Sequence, residues 1–429
     1  MGGYRMITRI EATNYRCLEK ADVDLSEYIV LVGSNGAGKT TLLDIPDLIS
    51  ECLQSPSVGQ AFTLSHKGRP PRCFFLEGLL FQGHGTHFSI AIEARLPEHV
   101  IEALVPALSS ADQQNSDKWW RFIRYEIRFE IFNKRELTIS DEHLFLFSEK
   151  DAPERGGIRI FGEYPQKSWR TIIKRTPGEK SSIRVETQKN AKSKTLSITQ
   201  SILALPKVKF ESADDFPAAS WFYDLLCEKS VFYRPDLYSL QTASPPGLSE
   251  RIIPNAANLP WLALTLQKNE SRYRLWIDHV KTALPQVENI FVKEREEDHH
   301  AYFIVLYQGG YEVTSSGLSE GTLRILALTI IPYLDNLPSL IITEEPESGI
   351  HPRAIESVLQ SLSSVYGSQV LVSSQSPVVL AQSELDKILC ARLSDNGAAS
   401  IVKGIDHPQL KEWRGQIDLG ALFAAGVLG

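Results

Sequence analysis

Cysteine is scarce in this chain and scattered: five residues among 429, at Cys17, Cys52, Cys73, Cys227 and Cys390. They form no C-x-x-C pair and stand at no metal-ligand spacing from a histidine, so the pattern encodes neither a disulfide framework nor a zinc module. Long apolar runs are missing too. The longest, Ile325 to Ile331, is far shorter than the ~20 residues that cross a bilayer. The opening residues MGGYRM lack the apolar stretch of a signal peptide and carry Met6 where a myristoylation motif has Ser or Thr. Basic charge is not in excess, since 45 Lys and Arg against 52 Asp and Glu give −7. That speaks against a surface that wraps nucleic acid along its whole extent, while a local basic patch stays open. There is no long heptad repeat, hence no long coiled-coil arm, and no internal repeat. These absences predict a soluble, cytoplasmic protein with reduced thiols and no membrane partner.

What is present is ordinary globular material, 43% hydrophobic and 23% charged. The length is roughly three times a common domain, which predicts two or three structural units. Strand patterning covers Ile7 to Tyr15 and Val23 to Val32, and Thr40 to Cys52 reads as a helix that Pro46 should kink or end. Further strands are expected at Phe74 to Phe81, Phe88 to Ala94 and Ile123 to Phe132. The last alternates apolar residues with Arg124, Glu126, Arg128 and Glu130, the pattern of a strand with one wet face. From about Phe147 to Asp215 the pattern weakens among turn residues, which predicts a less regular insertion. Helix is expected over Leu259 to Leu284, and Tyr302 to Tyr307 with Tyr311 to Thr314 form a hairpin. From Leu318 onward helices and strands alternate: helix Thr322 to Leu334, strand Leu340 to Thr343, helix Ala354 to Val365, then strands Val370 to Ser373 and Lys387 to Ala391. Such alternation predicts a parallel α/β sheet.

Three motifs carry chemistry. Gly33-Ser34-Asn35-Gly36-Ala37-Gly38-Lys39-Thr40 fits G-x-x-x-x-G-K-[ST] in full, after an apolar strand and before a helix. Its glycines let backbone N–H groups turn inward on phosphate oxygens, and the helix N-terminus adds a favourable dipole. Lys39 would reach the β- and γ-phosphates of ATP, and the Thr40 hydroxyl, with Thr41 beside it, would face Mg2+. Leu340-Ile341-Ile342-Thr343-Glu344-Glu345 is an apolar strand ending in two acids, costly there unless a cation or hydrogen bonds satisfy them. Next to a phosphate loop, Glu344 serves the hydrated metal and Glu345 polarises the attacking water; a solvated acidic turn before Pro346 is the plainer alternative. Glu344 is one methylene longer than the Asp usual at such a place. Gly317-Leu318-Ser319-Glu320-Gly321-Thr322 reads either as the G-x-S-x-G elbow of a serine hydrolase, as a Leu-Ser-x-Gly phosphate-binding helix start, or as a plain cap.

With these motifs in this order, the chain resembles the SMC/RecF/OLD-like branch of the ABC ATPases, in its compact anti-phage defence form, over roughly residues 6–55 and 255–429. The resemblance implies an α/β P-loop ABC-type head: a mixed or parallel sheet core and an antiparallel β subdomain, with an inserted irregular or helical lobe. The halves of the head would be residues 1–110 and 255–429, and the insertion 111–254. It implies further that Asn14-Tyr15-Arg16 brings Arg16 towards the nucleotide phosphates. Ser319 and the Gly321 backbone would bind the γ-phosphate of a nucleotide held by a second copy. Glu345-Pro346-Glu347-Ser348-Gly349-Ile350-His351-Pro352 is similar to the acid-Pro-Glu stretch and D-loop of that branch. In Ser374-Gln375-Ser376-Pro377, Gln375 stands where the family's switch histidine is expected; it can hydrogen-bond a phosphate or water but cannot become cationic. The family's glutamine loop falls on Gln82, as a ligand near the metal, with Gln60 as the other candidate.

The implied function is ATP hydrolysis with Mg2+ by a homodimer or higher homo-oligomer that sandwiches two nucleotides. The expected role is a sensor that controls a separately encoded effector, a nuclease or toxin, in anti-phage defence. The ending Asp418 to Phe423 resembles the tails of compact stand-alone members, and no TOPRIM-like nuclease segment follows the switch region. The rival roles are a DNA-repair ATPase on duplex DNA and a transporter's nucleotide-binding subunit. Other features get the plainer reading: His84, His87, His299 and His300 as solvated turns, Trp119-Trp120 as a packed aromatic pair, and Lys167, Arg170, Lys174, Arg175 and Lys180 as a solvated basic face.

Overall fold

The computed structural model describes residues 6–65, 69–155, 168–178, 180–408, 410 and 419–424. The chain divides into two compact units: residues 1–26, 36–229 and 391–402 make the first, and residues 27–35, 230–390 and 403–429 the second. It opens with three strands, β1 (Ile7–Tyr15), β2 (Leu18–Asp24) and β3 (Tyr28–Gly33), so the stretch Val23 to Val32 is two strands separated by a turn. The helical stretch after β3 breaks at Asp44 into Lys39–Leu43 and Ile45–Gln54. Pro46 lies in the first turn of the second piece, where its missing N–H leaves no helical bond unmade.

The first unit is built on an antiparallel sheet. Its later strands are β4 (His87–Arg95), β5 (Phe122–Phe132), β6 (Glu136–Phe147), β7 (Arg170–Arg175), β8 (Ser182–Ile183) and β9 (Lys194–Thr195), in the order β2-β1-β4-β5-β6-β7-β8-β9. One face is apolar. Ile10, Ile92 and Tyr125 stand in one cross-strand row and Ala12, Ile90 and Ile127 in the next, and Phe62 of the helix Val58–Thr63 packs edge-on against Phe88 and Phe129.

The other face corrects the reading of β5. Arg124 is 1% exposed, and its guanidinium donates to Glu11, Glu93 and Glu126. Arg9, also buried, donates to Asp22 at 2.6 and 2.8 Å. The register explains this, because Arg9, Glu93 and Arg124 form one row across three strands and Glu11, Ala91 and Glu126 the next. Alternating charges are thus consumed by cross-strand pairing, and only Glu130 near the far end of β5 is exposed. Removing one member of such a network strands a buried charge, at a cost of roughly 3–5 kcal/mol.

The expected strand Phe74 to Phe81 is instead a pair of 3-10 turns, Leu76–Leu79 and Phe81–Gly83. The segment has no polar–apolar alternation to fill a sheet face, and Gly78 and a left-handed Gln82 (φ 52°) interrupt it. Arg170 and Arg175 are also not a solvated face: both are buried and donate to backbone carbonyls, Arg175 to Thr199 and Ile202 at 2.9 Å each. Lys167 lies outside the described residues.

The second unit holds a parallel sheet. Strands β10 (Ser230–Phe232), β14 (Leu340–Glu344), β15 (Gln369–Ser374) and β3 run parallel in that order, with β16 (Ile388–Leu393) beyond β3. A separate antiparallel sheet consists of β11 (Val287–Glu294), β12 (Ala301–Tyr307) and β13 (Tyr311–Thr314). The middles of these strands are apolar, with Val30, Leu31, Ile341, Ile342, Leu371 and Val372 buried, as burial on both faces demands. Helices Glu270–Ala283, Glu320–Thr329 and Pro352–Ser363 pack together, with the Trp276 indole donating to Thr329 Oγ1 at 3.1 Å and the His279 ring bonded to the Ser357 carbonyl at 3.0 Å.

Back in the first unit, two buried carboxylates cap helices that have no side-chain cap of their own. Glu142 accepts from the Ala204 N–H, and Glu186 accepts from the N–H groups of Ala218 (2.7 Å) and Ala219 (2.9 Å) at the start of Pro217–Cys227. Burial pushes the Glu186 carboxyl up from its ordinary 4.5 to about 8, and those N–H groups only partly offset it. A carboxyl raised in the folded state contributes stability that is full below its unfolded value and is lost as pH climbs through its folded value. Stability should therefore decline from about pH 5 to pH 8, and Glu186→Gln should flatten that decline in urea titrations. An unchanged pH slope in the variant would show that Glu186 is ionised throughout.

Candidate nucleotide site

The parallel register brings three strand ends to one edge. Glu344 pairs with Ser373, Ser373 with Leu31, and Ser374 with Val32. Hence Glu344-Glu345 after β14, Ser374-Gln375 after β15, and Gly33-Ser34-Asn35 after β3 emerge side by side at the carboxyl ends of adjacent strands. That is where open α/β sheets bind ligands. Ser34, Asn35 and Gly36 are exposed and Ala37 is fully buried. Gly36 and Gly38 take left-handed backbone (φ 80° and 88°), which only glycine adopts without strain, and Gly38 caps the helix that begins at Lys39. Lys39 is buried, Thr40 exposed and Thr41 half-buried. The whole phosphate-loop motif thus has the strand–loop–helix setting its sequence predicts.

The acids after β14 are held differently from one another. Glu345 sits at φ 43°, a conformation that costs a non-glycine residue about 1–3 kcal/mol. Its N–H donates to the Ser373 carbonyl at 2.8 Å, and the Ser348 hydroxyl donates to its carboxylate at 3.3 Å. The β-sheet contact thus imposes the strain and turns Glu345 off the strand axis. Glu344 has one carboxylate oxygen, Oε2, bonded by the Arg234 guanidinium, while Oε1 is buried with no hydrogen-bond partner among the described residues. An orphaned carboxylate oxygen at the strand end suits a hard cation such as Mg2+. Glu347 accepts from the Ser374 hydroxyl, tying the acid turn to the β15 exit, and burial raises its carboxyl above the ordinary range. Sequence reasoning missed Arg234 altogether, since it lies in no motif.

Ser319 caps the helix Glu320–Thr329: its hydroxyl accepts from the Thr322 N–H at 3.2 Å. Its backbone (φ −67°, ψ 154°) is relaxed, and a 3-10 turn rather than a strand precedes it. A hydrolase elbow is strained and follows a strand, so that reading fails. Gly321 lies against the D-loop of its own chain, where an added Cβ would come 2.6 Å from the Gly349 carbonyl oxygen. Only glycine allows that approach.

Within the first unit, Cys17 and Leu18 press on the phosphate-loop helix: a Cβ on Gly38 would meet Ala399 Cβ at 2.8 Å and Cys17 Sγ at 3.0 Å. Arg16, the neighbour of Cys17, is left-handed (φ 53°), and its guanidinium donates to the Arg72 carbonyl at 3.1 Å. Arg72 in turn bonds Asp44, Asp47 and Glu51 on the segment following the loop. Gln82 is exposed, and its amide donates to the Asn396 carbonyl at 2.6 Å. Gln60 lies in the helix Val58–Thr63. Among the described residues no group of three or more His, Cys, Asp or Glu is placed to hold a metal by itself, and His299 and His300 bond Glu294 and Asp298 of their own turn. Trp120 is buried with its indole donating to the Ser168 carbonyl at 3.1 Å. No helix is long and apolar enough to cross a membrane among the described residues. Asp418 lies outside those residues, while Leu419 and Gly420 begin a short helix.

Residues 100–381 match the family described as "AAA domain, putative AbiEii toxin, Type IV TA system". A stretch of 44 residues is 48% identical to an OLD nuclease of Thermus scotoductus, covering 10% of this chain and 8% of that protein. Among solved structures, an SMC head bound to the C-terminal winged-helix domain of ScpA aligns over 92% of this chain and 97% of its own, with a TM-score of 0.51 and 14% identity. An SMC head with an extended coiled coil from Pyrococcus furiosus, bound to the C-terminal domain of ScpA, covers 92% and 96% at 13% identity, with a TM-score of 0.48. The fold is that of an SMC-type ATPase head.

The glycine geometry makes an ordered prediction. Gly38→Ala adds a clash to a left-handed backbone, whereas Gly36→Ala meets nothing within 4 Å and adds only strain. Gly38→Ala should therefore lower the melting temperature by several degrees more than Gly36→Ala. Equal melting temperatures for the two variants would contradict the packing described.

Proposed function

This chain belongs to the AAA-domain family whose model it matches and is built as an SMC/OLD-like P-loop ATPase, and from that premise we propose that it binds and slowly hydrolyses ATP as a dimer. The observation that carries the reading is the convergence of Glu344, Glu345 and Gln375 beside the phosphate-loop strand. In this proposal the inward N–H groups of Ser34 to Thr41 cradle the phosphates, Lys39 neutralises the β- and γ-phosphates, and Arg16 adds charge from its turn. The Thr40 hydroxyl and the Glu344 carboxylate are the groups that would hold Mg2+, and the ion would supply charge neutralisation on the phosphates. Glu345, held off-axis by the Ser373 contact, accepts a proton from the attacking water. Gln375 orients that water or the γ-phosphate, and Gln82 is proposed as the family's glutamine near the metal.

Ser319 and Gly321 serve the nucleotide of a second copy. The pairing of a phosphate loop and a Leu-Ser-Glu-Gly helix start on one chain, far apart in sequence, supports this division. Two copies would then enclose two ATP molecules, and hydrolysis would release them. The head of similar fold that is bound to a winged-helix domain of another protein supports a protein partner here too. We take the role to be a sensor that controls a separately encoded effector in anti-phage defence, in the cytoplasm, with the head halves at 1–110 and 255–429 around the insertion.

A neutral Gln375 positions the attacking water less firmly than the usual switch histidine. Positioning and electrostatics supply most of phosphoryl-transfer catalysis. Basal turnover should therefore fall below the ~1–100 s⁻¹ of efficient kinases. Steady-state phosphate release measures this, and tens per second without partner or duplex DNA would favour a motor. Strong stimulation by duplex DNA that collapses with salt would favour repair instead.

Lys39→Ala should weaken ATP binding more than tenfold, and a change under threefold would overturn the loop assignment. Ser319→Arg should still bind ATP yet fail to turn it over. Mixing the two inactive variants restores one complete site per mixed dimer, so activity should return. If the mixture stays inactive, or Ser319→Arg alone works normally, Ser319 does not act across a dimer.

A further inference from the structure

We infer that Arg234 is a positioning residue for Glu344: it grips one carboxylate oxygen and so aims the other at the cation. The inference deepens the proposed function and rests on Glu344 being the metal-side acid. Its basis is a juxtaposition that no motif marks. β10 pairs with β14 in parallel register, Ser230 with Leu340 and Phe232 with Ile342, so Arg234 reaches the level of Glu344 two residues beyond the last pair. The Arg234 guanidinium bonds Glu344 Oε2, and Oε1 of the same carboxylate is buried with no hydrogen-bond partner among the described residues. One oxygen is occupied by the protein and its twin is free at the carboxyl edge of the sheet.

Arg234 is itself held for this task. Its guanidinium lies over the Phe232 ring, 4.1 Å from the centroid, and its backbone N–H donates to the Pro254 carbonyl at 2.7 Å. The planar guanidinium stacked on a ring is a more rigid hydrogen-bond donor than an ammonium on a flexible stem. Rigidity matters because Glu344 carries one more rotatable bond than an aspartate would. Left alone, its carboxylate would spread over several rotamers and lose part of its metal affinity to ordering entropy. The arginine removes that freedom in advance.

Arg234 also opposes the metal, since a cation next to Glu344 weakens attraction for a second cation. Two effects of opposite sign therefore compete. The arginine side chain is 40% exposed, so solvent screens its charge, whereas the oxygen it orients is buried. Loss of an outer hydrogen-bond partner of a ligating group typically costs about 10–100-fold in metal affinity. Orientation wins.

The test uses Mn2+ as the probe, with bound metal read by electron paramagnetic resonance in the presence of a non-hydrolysable ATP analogue. Analogue affinity without metal is measured alongside. Arg234→Ala should lower Mn2+ affinity at least tenfold while leaving metal-free analogue binding within threefold. Arg234→Lys keeps a cation but not the stacked fork, and should recover only part of the loss. In a Glu344→Asp background, where the side chain is shorter, removing Arg234 should cost less than threefold. If Arg234→Ala binds Mn2+ as well as the parent, or better, while Glu344→Ala loses it, the inference is wrong and the reading of Glu344 stands. If Glu344→Ala itself retains Mn2+ affinity, both fall together.

Discussion

The parallel register of β14, β15 and β3 is the constraint on which the site depends. Hydrogen-bonded pairing sets Glu344 level with Ser373 and Ser373 level with Leu31, so the three exits cannot shift independently. A one-residue slip in any pair would turn the acid strand's buried side chains to the opposite face. Both faces of these strands are packed, so such a slip would exchange side chains of different shape between two filled layers. Burial of Ile341, Ile342, Leu371, Val372, Val30 and Leu31 thus fixes the position of polar groups that contribute little to the core themselves. The sheet also accounts for the strained Glu345, whose N–H is caught by the Ser373 carbonyl just as the chain leaves β14.

The second theme is how the chain treats charge. Acids are buried repeatedly, and each set has its own compensation. In the antiparallel sheet, Arg9 and Arg124 pair with Glu93 and Glu11 across strands, and each also pairs with a glutamate two residues on in its own strand, Glu11 and Glu126. After the phosphate loop, Arg69 and Arg72 gather Asp44, Asp47 and Glu51. Glu142 and Glu186 take up helix N–H groups instead. At the acid turn the compensation is incomplete among the described residues: Glu344 Oε1 and Glu347 Oε2 are buried without a hydrogen-bond partner, as Asp141 Oδ1 is in β6. An unpaired buried polar atom costs free energy. Its persistence at the edge where the phosphate-loop strand also ends supports the proposal of a cation there.

Much of this was legible from the residues alone. The phosphate loop, the acid strand and the helix opened by Ser319 announce themselves through short-range patterns that are local to one strand–loop or loop–helix unit. The alternation after Leu318 gives the parallel sheet for the same reason. What could not be read depends on pairing between distant segments. Arg234 lies 110 residues before Glu344 and meets it only through the β10–β14 register. The charged alternation of β5 looks like a wet face until β1 and β4 deliver partners from elsewhere. Phe74 to Phe81 has strand-like composition, yet Phe74 and Phe75 are 83% and 80% exposed and the segment turns twice. Composition there outweighed the missing alternation.

The central claim is that ATP joins two copies of this chain through the phosphate loop of one and the Ser319 helix start of the other. Glu345→Gln tests it most directly, because the variant keeps every binding group while removing the carboxylate that would accept the water's proton. Light scattering of this variant with ATP and Mg2+ should give twice the chain mass, and removal of nucleotide should return the mass of one chain. A folded Glu345→Gln protein that binds ATP and still scatters as a single chain would contradict the account.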